Sequence, residues 1–398
     1  MYYNKYKNKR GYKMKANLIL DIGNSGTRVA VQVKEEGNIR QSIHELSNQY
    51  AEVQEGYKLP EDYSTESNTV FRIGNGEGEF YAHGTVVDKE FSSIALYPNG
   101  QAKKQDSLVT LVTFNRTFYE GYRILSKILG VPIDELTDVK WHVTCLLPPY
   151  DVASGSEKLY TKLNEITKLE VIEPKLSFNI DVESVTVYPE GFTAFVGALM
   201  SKGQKVRPES KKLLDSKVLV IDIGSGTSDF MVVDSTKIVD ETKSTARVGG
   251  GNITSAIQLT LRKSFNIDLP LKNILEGECT GQVKSGNKVF SLIDALKSAR
   301  SKVASRLKQS IFSYFSGIMY PVDTIEYVLL CGGGSLESQV EGVPSLADYV
   351  IQELRTIAPN IELVAMPKKS SQSEKEDGET VNPRHLNIIG ACILSEKQ

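Results

Sequence analysis

Apolar residues in this chain fall into short runs that end in turn-forming residues. Between them lie longer stretches with an apolar residue at every third or fourth position. That mixture predicts an α/β protein. The first run, Asn17–Leu20, ends in Asp21-Ile22-Gly23-Asn24-Ser25-Gly26-Thr27, and Arg28–Lys34 then alternates as a strand does. Two strands joined by a tight Gly/Ser/Asn turn predict a hairpin. Helical spacing predicts helices over Ser107–Leu129 (stopped by Gly130), Ser156–Leu169, Phe192–Met200, Ile253–Phe265 and Leu292–Ser316, the last with lysines and arginines on its outer face. Strands are expected at Lys140–Leu147, closed by Pro148-Pro149, at Ser184–Tyr188 and at Tyr327–Cys331. Residues 35–104 are polar, with Gly74, Gly76, Gly78 and Gly84 among short β-like runs such as Glu79–His83, and read as a small insertion. Lys368–Asn382 reads as a surface loop, and a small-residue helix, Pro383–Leu394, closes the chain.

The most informative feature is a repeat. Lys217–Ile221 is another apolar strand; it ends in Asp222-Ile223-Gly224-Ser225-Gly226-Thr227-Ser228, and Asp229–Val233 follows as a second strand. Both stretches carry Asp-Ile-Gly and Ser-Gly-Thr, and matching the letters leaves Asn24 as one extra residue in the first. A repeat at half the chain length predicts a duplicated domain, each copy opening with the same hairpin.

Composition narrows the class. The chain has 398 residues, enough for two ordinary domains, and its 40% hydrophobic and 24% charged content is that of a globular protein. Apolar runs such as Val218–Ile221 are far shorter than the roughly 20 residues that span a bilayer, and no secretory signal is visible. Cys145, Cys279, Cys331 and Cys392 are scattered, three in apolar surroundings, and read as reduced residues of a cytoplasmic protein. The four histidines have no metal-ligand spacing, and a net charge of −2 argues against a body that coats nucleic acid. Lys5, Lys7, Lys9, Arg10, Lys13 and Lys15 crowd the start. This segment reads as a flexible tail over residues 1–13, or an extension upstream of a start at Met14. The alternative is a basic arm for DNA, anionic lipid or a neighbouring subunit.

The two Asp-x-Gly turns carry the chemistry. A triphosphate needs backbone N–H groups aimed at its oxyanions, which glycine allows by close approach, and serine and threonine hydroxyls add donors. One aspartate per turn suits a hydrated Mg²⁺, a hard ion that prefers oxygen. Cys331-Gly332-Gly333-Gly334-Ser335 after an apolar strand, and Val248-Gly249-Gly250-Gly251-Asn252 before a helix, bring further backbone within reach of a nucleotide. No Gly-Lys-Ser/Thr follows a glycine loop and no GxGxxG spacing occurs, which excludes the P-loop and dinucleotide-binding readings.

Five segments in order now resemble one family: Asp21–Thr27, Tyr188-Pro189-Glu190-Gly191, Ile221–Thr227, Gly249–Asn252 and Leu330–Ser335. Together they resemble the actin-like ATPases. The chain length, the stretch Thr144-Cys145-Leu146-Leu147-Pro148 and Pro383–Ala391 are most similar to plasmid-segregation actins of the ParM/Alp type. Cys145 and Leu146 depart from the small residue and glycine usual there. The resemblance implies an α/β, actin-like (ribonuclease H-like) duplicated two-domain fold with a nucleotide cleft between the domains. Domain I would be 14–191 plus 384–398, with the insertion at 35–104, and domain II 192–383.

The resemblance also implies roles. Asp21 and Asp222 would hold Mg²⁺ through water, and Asp222 would also polarise the attacking water. Gly23, Asn24, Ser25, Gly26 and Thr27 would cradle phosphates with Gly224, Ser225, Gly226 and Thr227. Arg28 would add positive charge, and Glu190 would orient the hydrolytic water. Gly249, Gly250, Gly251 and Asn252, with Gly332, Gly333, Gly334 and Ser335, would flank sugar and base, with Arg300 or Lys302 of the long helix near the ribose. The implied activity is ATP hydrolysis coupled to a head-to-tail filament that segregates plasmid DNA through a DNA-bound adaptor, with GTP the alternative nucleotide. Direct DNA contact is left only to the basic tail. A small-molecule kinase of the same fold is the competing reading, and a chaperone ATPase would need a β-rich substrate domain after the last helix.

Overall fold

In the computed structural model the Gly11–Ile22 strand is the pivot of the first sheet. It pairs antiparallel with Gly26–Glu35, Leu20 opposite Val29, and parallel with Asp138–Leu147, Ile19 opposite Thr144. The structure describes residues 7–8, 11–23, 26–35, 37–63, 68–73, 78–90, 94–95, 108–364, 366 and 381–396. They fall into two units, Met1–Leu147 with Asp151–Tyr188 and Leu394–Gln398, and Pro148–Tyr150 with Pro189–Ile393.

Among the described residues the first unit holds two sheets. One runs in the order 181–189, 138–147, 11–22, 26–35, 38–47, and the other 176–179, 168–173, 69–73, 79–83, 49–53, 94–95. Phe114, Phe118 and Tyr122 recur at helical spacing on Leu108–Leu129 and meet Leu18, Leu20, Trp141, Phe71 and Phe178 in one core. Tyr122 stacks on Phe178 at 4.2 Å and meets Trp141 edge-on at 5.3 Å. The helix therefore packs on strands of both sheets. Each such fully buried aromatic or aliphatic side chain contributes about 1.5–3 kcal/mol.

The second unit repeats the plan around Lys217–Ile223, antiparallel to Ser228–Asp234 and parallel to Tyr327–Cys331. This strand is buried on both faces, hence its unbroken apolar run. Leu219, Ile221 and Ile223 face the helices Gly251–Phe265 and Ile293–Gly317 through Ile257, Leu261, Leu307 and Phe315. Val218 and Val220 face the Phe192–Leu199 and Leu386–Ser395 helices through Ala194, Phe195 and Leu386.

Several expectations need correction. The first strand starts at Gly11, not Asn17, and Lys7–Asn8 pairs with Gly11–Tyr12, so part of the expected flexible tail is paired backbone. Backbone pairing, with Lys13 opposite Asp138, requires no apolar side chains. The 35–104 insertion is not one body. Asn38–Ser47 extends the first sheet, while the later strands join Lys168–Glu173 and Leu176–Asn179. The Ser156–Leu169 helix is Val152–Glu165, and Lys168 onward is strand. The last helix up to Ile393 belongs to the second unit rather than to the first. Its Gly390 lies against Phe192–Leu199 so tightly that a Cβ there would fall 1.7 Å from the Thr193 carbonyl oxygen. Glu190 joins the second unit as well. Cys145, Cys331 and Cys392 are buried and Cys279 is exposed. Of the expected loop Lys368–Asn382, only Val381 and Asn382 lie within the described residues. Among the described residues, no helix is long and apolar enough to cross a membrane.

Candidate functional site

The two hairpins share one register. Asp21 stands opposite Arg28 and Ile22 opposite Thr27; Asp222 stands opposite Asp229 and Ile223 opposite Ser228. The same number of residues separates the partners in each, so the first turn has no extra residue. The match by letters is displaced by one, and the structural equivalent of Thr27 is Ser228, not Thr227. Each turn closes on its glycine: Gly23 N donates to Gly26 O at 3.0 Å and Gly224 N to Thr227 O at 2.9 Å.

In the first hairpin Asp21 is buried and accepts from Arg28 Nη1 at 2.9 Å, while Arg28 Nη2 lies 3.6 Å from Glu45 on the third strand. Arg28, read from sequence as a phosphate contact, thus already serves two carboxylates. The Thr27 hydroxyl donates to Asn48 Oδ1 at 2.6 Å, and Asn48 Nδ2 donates to the Gly23 carbonyl. Gly26 lies close under the third strand, where a Cβ would stand 3.1 Å from Leu46 O. Asn24 and Ser25 lie outside the described residues.

In the second hairpin Asp222 and Asp229 are both buried, and Asp229 accepts from the Thr245 hydroxyl. Ser225 is exposed, and Gly224, Gly226 and Thr227 are half-buried. The glycine run packs on that turn, Gly250 N donating to Gly224 O at 2.9 Å and Gly251 N to Ser225 O at 2.7 Å. A Cβ at Gly249 would meet Gly224 O at 2.6 Å. Asn252 Oδ1 folds back to accept from Gly249 N at 2.9 Å. The third glycine run lies beside Asp222. Gly332 has φ 81° and a Cβ on it would fall 2.2 Å from Asp222 Oδ1, while one on Gly334 would fall 2.3 Å from Ile223. Gly333 is exposed, and the Ser335 hydroxyl donates to Cys331 O at 2.5 Å. Glu190 is buried at the corner before the Phe192–Leu199 helix, where Gly191 has φ 77°.

Thus the second unit gathers Asp222, the Gly224–Thr227 turn and the glycine runs at 249–251 and 332–334. On the long helix, Arg300 departs from the outer-face expectation. Arg300 lies on its buried stripe with Leu296 and Val303, and its Nη1 donates to Ser338 Oγ and Pro344 O, both at 2.8 Å. Lys302 is exposed. Near Arg300, burial holds the Glu278 carboxyl above its usual range, against the opposing hydrogen bond with Thr254 and the Arg300 charge.

Sequence reasoning passed over Asp229, Asn48, Asn387 and Glu278. Asp229 was findable, because a hairpin closed by Gly224 and Thr227 puts residue 229 opposite 222. Asn48, Asn387 and Glu278 left no local signal, since their partners come from distant segments. The donor set fits a divalent cation, because the cross-strand carboxylates Asp222 and Asp229 offer hard oxygens. The glycine runs pack so closely on the turn and on Asp222 that a Cβ would strike the protein itself.

These features, with a repeated hairpin, a strand parallel to its first member (Asp138–Leu147 and Tyr327–Cys331) and helical cover in each unit, define an actin-like fold. Residues 220–341 match the family model described as archaeal actin homologue MreB-like, C-terminal. No curated protein matches the chain in sequence. Among solved structures it is similar to the actin-like protein Alp7A, with TM-score 0.65, 16% identity, and 96% of each chain covered. It is similar to the ParM of a 15-stranded filament from Clostridium botulinum, with TM-score 0.64, 16% identity, and 97% of this chain and 100% of that one covered. It is similar also to the archaeal actin homolog Ta0583 in complex with ADP, with TM-score 0.64, 16% identity, and 96% and 100% covered.

Proposed function

We propose that this chain is an ATP-dependent, filament-forming actin-like ATPase of the cytoplasm whose two hairpins hold one magnesium triphosphate. The observation that carries the reading is the shared register of the hairpins, each ending a buried strand with an aspartate before a glycine-closed turn. The ADP bound to the archaeal actin homolog supports an adenine nucleotide, with GTP the alternative. Gly23–Thr27 and Gly224–Thr227 bind phosphate, and the glycine runs at 249–251 and 332–334, with Asn252 and Ser335, bind sugar and base. When bound, Mg²⁺ neutralises phosphate charge. Asp21 and Asp222 would hold it through water, with Asp229 alongside Asp222. Glu190 orients the water that attacks, since positioning is most of phosphoryl-transfer catalysis.

The ParM filament among the similar structures supports head-to-tail assembly of this chain, a contact that grows without closing. The segregation of plasmid DNA through a DNA-bound adaptor extends the sequence resemblance to plasmid-partition actins. Electron microscopy and pelleting with and without ATP–Mg²⁺ test the reading. Filaments that need ATP–Mg²⁺ support it; monomers at every concentration contradict it, and turnover that requires a metabolite would move the site to the kinase reading. Glu190→Ala is expected to bind nucleotide, hydrolyse it slowly and stabilise the polymer; normal turnover would remove Glu190 from the mechanism.

A further inference from the structure

Asn387 is buried in the first turn of the last helix, and its amide joins three segments distant in sequence. Its Oδ1 accepts from Gly191 N at 2.9 Å, Thr193 Oγ1 at 2.9 Å and Ala194 N at 3.1 Å. Its Nδ2 donates to Asp222 Oδ2. The amide has one orientation that fits. Backbone N–H groups only donate, so the carbonyl oxygen must face them and the NH₂ must face the carboxylate. The Phe192–Leu199 helix has no side-chain cap of its own, so Asn387 satisfies its orphan N–H groups from another helix.

The seat is rigid. Gly197 and Gly390 let the two helices touch backbone to backbone, a Cβ on Gly197 falling 2.5 Å from Leu386 O. Pro383 O also accepts from Gly332 N at 3.3 Å, which ties the approach to this helix to the glycine turn beside Asp222.

We propose that Asn387 is a positioning residue that fixes the Asp222 carboxylate and ties it to the Glu190–Gly191 corner. Resting on the nucleotide reading above, Asn387 sets the magnesium-dependent part of nucleotide affinity without touching nucleotide or metal. Hydrogen-bond partners behind a metal-binding carboxylate are worth about 10–100-fold in metal affinity. Aspartate cannot replace Asn387, because it lacks the donor and sets a second negative charge against Asp222.

The test measures affinity for an ATP analogue with and without Mg²⁺ in the full chain. Asn387→Asp and Asn387→Ala are compared with Thr193→Val, which removes a neighbouring bond to the same Oδ1 but leaves Asp222 alone. The ratio of the two affinities is the readout, because general loosening lowers both together. Both Asn387 variants are expected to lose about tenfold in that ratio, with kcat falling more than KM rises, and Thr193→Val to keep the wild-type ratio. An unchanged ratio in both Asn387 variants overturns the proposal. If the wild-type chain binds no nucleotide, the functional reading fails, and nucleotide-free crystal structures then decide this one. An Asp222 side chain that leaves its wild-type rotamer in Asn387→Ala, or in Asn387→Asp if the first does not fold, supports it; an unmoved one overturns it.

Discussion

The two hairpins are built to one register but charged differently. Across three strands, the first unit lines up Asp21, Arg28 and Glu45, and the second lines up Asp222, Asp229 and Thr245. One row carries its own cation between two carboxylates. The other sets a carboxylate at the corresponding place and a hydroxyl beyond it. The buttresses differ too: the Asn48 side chain holds the Gly23 carbonyl, whereas backbone from Gly250 holds the Gly224 carbonyl. Duplicated backbone has been kept while the side chains at equivalent points have diverged: the first row sets an arginine between its two carboxylates, and the second sets two carboxylates beside a hydroxyl.

The comparison breaks most readily at Arg28. Arg28→Ala removes the buried ion pair with Asp21 and is expected to cost about 3–5 kcal/mol in denaturant unfolding. Asp229→Asn keeps an oxygen for Thr245 and relieves a like-charge contact, so its change should stay within about 1 kcal/mol. Equal losses at the two positions would end the distinction between the rows.

Acid should separate the units next. In the first unit, Arg116 Nε donates to His83 Nδ1 at 2.8 Å, and Glu120 meets Arg116, Arg123 and His44 at 3.0, 2.7 and 2.6 Å. Burial, then the Arg116 charge, hold the His83 imidazole down to about 3. An unfolded histidine takes up a proton near pH ~6.5, so the stability His83 contributes is complete above that value and declines as pH falls towards its folded one. Burial alone would raise the Glu120 carboxyl. The His44 hydrogen bond and the two arginine charges reverse this and hold it well below the carboxylate range. Its contribution is present above the unfolded carboxylate pKa, about 4.3, and is lost as pH falls through the folded value. Between about pH 7.5 and 5, amides of the first unit are expected to lose protection from exchange by a few kcal/mol while those of the second keep theirs. His83→Gln should flatten the response.

Smaller effects sharpen the register itself. Gly332→Ala must strain φ and displace Asp222, costing about 1–3 kcal/mol, whereas Gly26→Ala, with a looser contact and no positive φ, should cost less than about 1 kcal/mol. The Thr27 and Ser228 hydroxyls, donating to Asn48 Oδ1 and to Val248 O at 2.7 Å, are each expected to be worth about 1 kcal/mol when Thr27→Val and Ser228→Ala are melted. Thr227→Val should cost less than either, since Thr227 is not the equivalent of Thr27.

Much of the fold was legible because strand ends and helical stripes are local. Asp-Ile-Gly marks both hairpins, and Tyr327–Cys331 is a strand as its apolar run implies. The buried setting of Arg300 departs from the outer-face reading of that helix: it shares a stripe with Leu296, Val303 and Leu307, and spacing rather than charge decides its face. The hairpin equivalence was obscured because Ser-Gly-Thr recurs one position out of step, and letters mislead where register counts residues. Asn387 was invisible for a different reason. Its partners, Asp222 and the start of the Phe192–Leu199 helix, are brought to it only by tertiary packing through Gly197 and Gly390. The last helix was misassigned to the first unit for the same reason.

A crystal structure of the chain with Mg²⁺ and a non-hydrolysable ATP analogue tests the central claim most directly. The account predicts one nucleotide whose phosphates accept from backbone N–H groups of both glycine-closed turns, with the metal's waters on Asp21 and Asp222. A nucleotide that meets only one turn, or none, would contradict it.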